Sequence, residues 1–185
     1  MTSRRRNGMA LVAALAAAFS VAAFPQAASA TPIVSILSNT CLQPYIPTNP
    51  DRIPSSYQVF VANCGPETNS GPQHWVWGLV GTSSIRGKQG QFNVYRFLNG
   101  ATGACLSNRG RLEDAALIFA EPCSGTSAGQ KWTFGRSGPL RSVEMINAAS
   151  GKCLDVYGGF LGPNIQMIQW PCPSTPFEGN LFLLP

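Results

Sequence analysis

One short pattern occurs three times along this chain of 185 residues and limits what it can fold into. A Cys-Leu pair stands at Cys41-Leu42, Cys105-Leu106 and Cys153-Leu154. Each pair is followed by a second cysteine, Cys64, Cys123 and Cys172, at separations of 23, 18 and 19 residues. Within eleven residues of each second cysteine comes a Gln-x-Trp or a worn form of it: Gln73-His74-Trp75, Gln130-Lys131-Trp132 and Asn180-Leu181-Phe182. The likeness reaches outward, with Trp75-Val76-Trp77-Gly78 matching Trp132-Thr133-Phe134-Gly135. The units run over about 31–80, 92–137 and 142–185, with the Gly/Ser-rich stretch 79–91 as a loop inserted after the first. A unit of this size cannot bury its own apolar face, whereas three in register can share one core.

Within each unit the apolar segments are short and bounded by Gly, Pro, Asn and Ser, as in Val59-Phe60-Val61, Ala116-Leu117-Ile118-Phe119 and Ile165-Gln166-Met167-Ile168. That rhythm predicts an all-β barrel or sandwich. No long stretch after residue 30 carries a sustained helical period with caps. Around a threefold axis Trp75, Trp132 and Phe182 point inward as core. The Gln or Asn two places earlier then satisfies backbone groups near a turn, because a buried amide needs partners.

Residues 1–30 read as a secretory signal peptide: basic Arg4, Arg5 and Arg6, an apolar run from Met9 to Phe24, then Ala28-Ser29-Ala30. The expected location is therefore secreted. The apolar run is short for a membrane span, which takes about 20 residues. The leader holds three of the 13 Lys and Arg and none of the eight acids, so residues 31–185 carry a net charge of +2. No basic cluster survives its removal, which argues against a nucleic-acid partner. All six cysteines follow the leader, and an even count in that setting reads as a disulfide framework with 15 possible pairings.

These repeats resemble the ricin B-type lectin family of β-trefoils over roughly residues 34–185. The resemblance implies a β-trefoil of 12 strands, six closing a short barrel and six forming a hairpin cap. It implies the disulfides Cys41–Cys64, Cys105–Cys123 and Cys153–Cys172, each worth about 3 kcal/mol by loop-closure entropy. It places the first and last strands side by side, with Asn180–Leu184 near Val34–Leu37. It also implies a carbohydrate site: an Asp after the Cys-Leu pair accepts sugar hydroxyls, an aromatic before the second Cys stacks on the pyranose, and a polar residue near the Gln-x-Trp adds hydrogen bonds.

The first repeat offers Gln43 and Ala62 at the Asp and aromatic places, and the second Ser107 and Glu121. The third offers Asp155 and Trp170, with Gly158-Gly159 between them for a tight turn near a ligand. Gly179 and Ile168 replace residues that are usually polar, with Asn180 or Glu178 as substitutes. The candidate sugar contacts are Asp155, Trp170, Asn180 and Gly158. The competing readings are a turn-stabilising role for Asp155 and a packing role for Trp170.

Enzyme signals are sparse, and no catalytic residue, cofactor or metal is expected. The single histidine, His74, is expected at a turn or on the surface. Gly125-Thr126-Ser127-Ala128-Gly129 fits a nucleophile-elbow pattern but lies in a Gly/Ser loop without the required strand and helix. Glu113-Asp114 are adjacent and expected in an exposed turn, not facing one another across a cleft. The expectation is a secreted lectin for a galactose-type or other pyranose glycan. The alternative is a protein-binding trefoil, such as a toxin-associated subunit or inhibitor, with Tyr45, Tyr57 and Phe160 as its contact surface.

Overall fold

The computed structural model describes residues 31–47, 55–65, 71–175 and 178–184. The leader reading of residues 1–30 lies outside them. The strands are β1 (Thr31–Pro32), β2 (Val34–Ser35), β3 (Thr40–Pro44), β4 (Tyr57–Asn63), β5 (His74–Ser83), β6 (Phe92–Asn99), β7 (Cys105–Ser107), β8 (Phe119–Glu121), β9 (Trp132–Ser137), β10 (Val143–Asn147), β11 (Cys153–Val156), β12 (Ile165–Trp170) and β13 (Leu181–Leu183). Among the described residues the helical segments are short 3-10 turns.

The pairings form a β-trefoil. The barrel closes through β1–β5, β5–β6, β6–β9, β9–β10, β10–β13 and β13–β2. The cap consists of the hairpins β3–β4, β7–β8 and β11–β12, joined by β4–β8, β4–β12 and a bridge from Leu117 to Ile168. Among the described residues thirteen strands appear where the resemblance implies 12, because the first strand is split. Its first half pairs with β5 and its second with β13, as the single strand β6 pairs with both β5 and β9. The last strand meets the first as expected, with Phe182 opposite Ser35 and Leu183 opposite Val34.

The core is built in threes. Ile33, Phe97 and Met145 each precede the first cysteine of their repeat by eight residues. Leu42, Leu106 and Leu154 follow it directly, and Val59, Ile118 and Met167 lie five residues before the second cysteine. With Trp75, Trp132 and Phe182 they make four layers of three, and all twelve are wholly buried. Full burial of such a side chain contributes about 1.5–3 kcal/mol. The indole of Trp75 donates to the Leu42 carbonyl at 3.0 Å, and that of Trp132 to the Leu106 carbonyl at 2.9 Å. The Cys-Leu opening and Gln-x-Trp closing of one repeat are thereby tied together. The disulfides join Cys41–Cys64, Cys105–Cys123 and Cys153–Cys172.

Three expectations need correction. Residues 79–83 are not loop but continue β5 past a bulge, with Ser83 opposite Phe92. Pairing with β6 supplies their hydrogen bonds, and Ile85 beyond them seats in a small second core with Val94, Ile146 and Ala148. His74 is not on the surface: it opens β5 opposite Pro32 and is buried. Tyr45 and Phe160 are exposed, but Tyr57 packs against the main core. Among the described residues no helix is long and apolar enough to cross a membrane.

Candidate functional site

Strand pairing shows which residues of the three repeats are equivalent. Cys41 lies opposite Ala62, Cys105 opposite Glu121 and Cys153 opposite Trp170. Two places along, Gln43 faces Phe60, Ser107 faces Phe119 and Asp155 faces Ile168. Directly paired residues share a face, and faces alternate along a strand. In the third hairpin Leu154, Val156, Met167 and Gln169 therefore turn inward, and all four are buried. Asp155 and Trp170 share the opposite face.

The three equivalent positions differ in what they touch. In the first repeat Gln43 accepts a hydrogen bond from Gln73 Nε2 at 2.9 Å. In the second, Ser107 Oγ donates to Glu121 Oε1 at 2.6 Å, Arg109 Nε lies 3.5 Å from Glu121 Oε2, and the Arg109 guanidinium sits 3.6 Å above the Phe119 ring. These polar groups satisfy one another. Asp155, by contrast, takes part in no ion pair among the described residues, and the backbone N–H of Val156 is the donor that favours its charged form. Burial pushes its carboxyl up to about 6, with that N–H opposing the shift.

Asp155 opens into a cavity of about 760 Å³. Val156, Tyr157, Gly158, Gly159, Ile168, Trp170 and the segment Pro171–Pro173 line it, with Ala115 entering from the second repeat. Trp170 is 45% exposed, so its ring is presented and not packed away. Gly158 has φ 65°, in the left-handed region that favours glycine, and a Cβ there would come within 2.5 Å of the exposed Phe160 ring. Gln169 anchors the hairpin from behind. Its amide donates to the carbonyls of Arg111 and Glu113 and accepts from Asn108 Nδ2. Ala115 N–H also donates to the Gln169 carbonyl, which holds the second repeat's loop against the cavity.

Three of the four expected contacts, Asp155, Trp170 and Gly158, thus line one cavity, and Asn180 does not. Asn180 is wholly buried, with its amide 3.4 Å from Glu144 Oε1. It is in phase with Gln73 and Gln130, whose amides bond the backbone at Gly65 and Asn63, and at Ser124 and Pro122. The side chain of Glu178 lies outside the described residues. Tyr157, Ala115 and Pro171–Pro173 also line the cavity, beyond the contacts expected from the sequence. Tyr157 is two residues from Asp155 and could have been found by proximity, whereas no local signal points to Ala115. Ser127 precedes a 3-10 turn at Ala128–Gln130, six residues beyond the end of β8, so the strand–nucleophile–helix geometry of an elbow is not formed there.

The sequence model of the family described as ricin-type beta-trefoil lectin domain-like matches residues 71–170, more than half of the chain. The chain belongs to this family. Among relatives of this ricin-type lectin-like domain is the beta-galactoside-specific lectin 4 of Viscum album, 33% identical over 110 residues. That match covers 60% of the present chain but only 17% of the mistletoe protein, so the chain spans about a sixth of the relative's length. The designed threefold protein ThreeFoil superposes with a TM-score of 0.60 at 16% identity, covering 82% of this chain and 94% of its own. A Polyporus squamosus lectin, solved with a Neu5Ac-Gal-GlcNAc epitope, gives 0.59 at 15% identity, covering 82% and 46%. These two likenesses concern the fold of the ricin-type domain.

Proposed function

We propose that this domain is a secreted lectin that binds a β-galactosyl or related pyranose glycan through its third repeat. The observation that carries the reading is the contrast among the repeats: only Asp155 keeps a carboxylate without a side-chain partner, facing a cavity beside an exposed indole. The carboxylate would accept two sugar hydroxyls in charge-assisted hydrogen bonds. Trp170 would cover the apolar face of the ring at little entropic cost. The mistletoe relative, named for beta-galactosides, supports the choice of sugar class. The leader pattern in residues 1–30 supports secretion.

Binding without turnover is the better fit to the cavity. Asp155 is the one carboxylate among its described lining residues, and glycoside hydrolysis ordinarily uses two across the scissile bond. The test is a glycan array on the oxidised protein beside Trp170→Ala. Galactoside binding is expected in the wild type and should fall at least tenfold in the variant, with an unchanged circular-dichroism spectrum. If the wild type binds no glycan, the sugar reading fails. A protein partner then becomes the reading to pursue, with exposed Tyr45, Phe160 and Leu161 as its surface.

A further inference from the structure

We propose that the glycan site continues over the segment Pro171–Pro173 into a second cleft, so that the ligand is an oligosaccharide of at least two pyranose units. This rests on the sugar-binding reading above. The second cleft has a volume of about 300 Å³, at the lower end of the range of small-molecule sites. Cys172 and Pro173 line both cavities, so the two are separated by one thin ridge of chain.

The ridge is held from below. Arg136 donates from Nε to Glu144 Oε2 at 3.1 Å and from Nη2 to Glu144 Oε1 at 2.7 Å. The same guanidinium donates to the carbonyls of Pro173 and Ser174. A ridge fixed in this way needs no ordering when a ligand lies across it, and preorganisation favours affinity.

The lining of the second cleft suits a neutral sugar. Phe92 is half-buried and offers ring surface, whereas the Phe134 ring turns to the other face of its strand and packs on Trp77, Tyr95 and Phe97. Lys88 is exposed at the cleft and offers three donors. The charge of Arg136 is balanced by Glu144, so the cleft does not present the paired cations that an acidic group would demand. One apolar ring beside a few hydrogen-bonding groups repeats the chemistry of the first cavity.

The test uses methyl β-galactoside and β-linked galactose oligomers of two to four units, titrated calorimetrically into the wild type, Lys88→Ala and Phe92→Leu. The leucine keeps packing on the small second core while removing the flat ring. In the wild type the oligomers are expected to bind about tenfold or more tightly than the monosaccharide. Each variant should lose several-fold of that gain and keep its monosaccharide affinity. Backbone amide resonances of residues 133–136 should shift with oligomers and not with the monosaccharide. Equal affinity for every length, with shifts confined to the surroundings of Asp155 and Trp170, overturns the extension and leaves the first site standing. Failure of every galactoside to bind, with no other glycan bound on the array, overturns both.

Discussion

At the scale of single residues, Asp155 has a measurable signature. Its carboxyl is pushed up to about 6 from an ordinary value of 3.8, so the folded chain keeps this proton over a range where the unfolded chain has released it. The unfolded state then binds fewer protons, and stability falls as pH rises between those values. The contribution is fully present below about pH 4 and lost above about pH 6, and amounts to roughly 2–3 kcal/mol. Subtracting the melting curve of Asp155→Asn from that of the wild type isolates it from other carboxyls, such as Glu113, whose shift is downward. The difference should decline across that window and be flat above it. Ligand affinity should run the opposite way, rising through about pH 6 as the stronger, charged acceptor forms. The position was legible in the sequence because the phase of the repeats located it. Its isolation was not, because that depends on which side chains the folded hairpin brings within reach of it.

At the scale of elements, the bond from indole to the Leu carbonyl is what turns a sequence motif into a strand-to-cap joint. Trp132→Phe keeps most of the buried ring but removes the N–H that satisfies the Leu106 carbonyl, and a loss of about 1–3 kcal/mol is expected in urea unfolding. The third repeat carries Phe182 at this place, so the variant is expected to keep the native fold. The repeats made the hairpins and their cysteine pairs readable, since each signal occurs three times. Strand ends were read less well. Residues 79–83 have the composition of a loop, yet pairing with β6 recruits them into β5, and composition carries no trace of a partner strand. Asn180 was misplaced for a different reason. Its phase with Gln73 and Gln130 already argued for an inward amide, while its nearness to the expected site suggested a ligand. The buried geometry decided for the first. Ala115 was invisible because it reaches the cavity from another repeat.

At the scale of the whole molecule, closure depends on the final strand. β13 pairs with β10 on one side and β2 on the other, and Phe182 fills one of the twelve core places. Deleting residues 180–185 should open the barrel and leave the protein insoluble on expression. A soluble, protease-resistant truncation would count against the closure. The threefold plan was legible as a whole because periodicity is a global property of the sequence, whereas the clefts between repeats arise only on assembly. One further consequence follows from the second repeat, where Ser107, Arg109 and Glu121 engage one another and leave no open acceptor. On the proposed reading, a domain with one open position in three would hold a glycan through one repeat alone. For a site with a dissociation constant near a millimolar and an ordinary association rate of about 10⁵–10⁷ M⁻¹s⁻¹, each contact would last about ten milliseconds or less. Such a domain would wander through a sugar coat by repeated brief touches, exploring it without knitting the strands together.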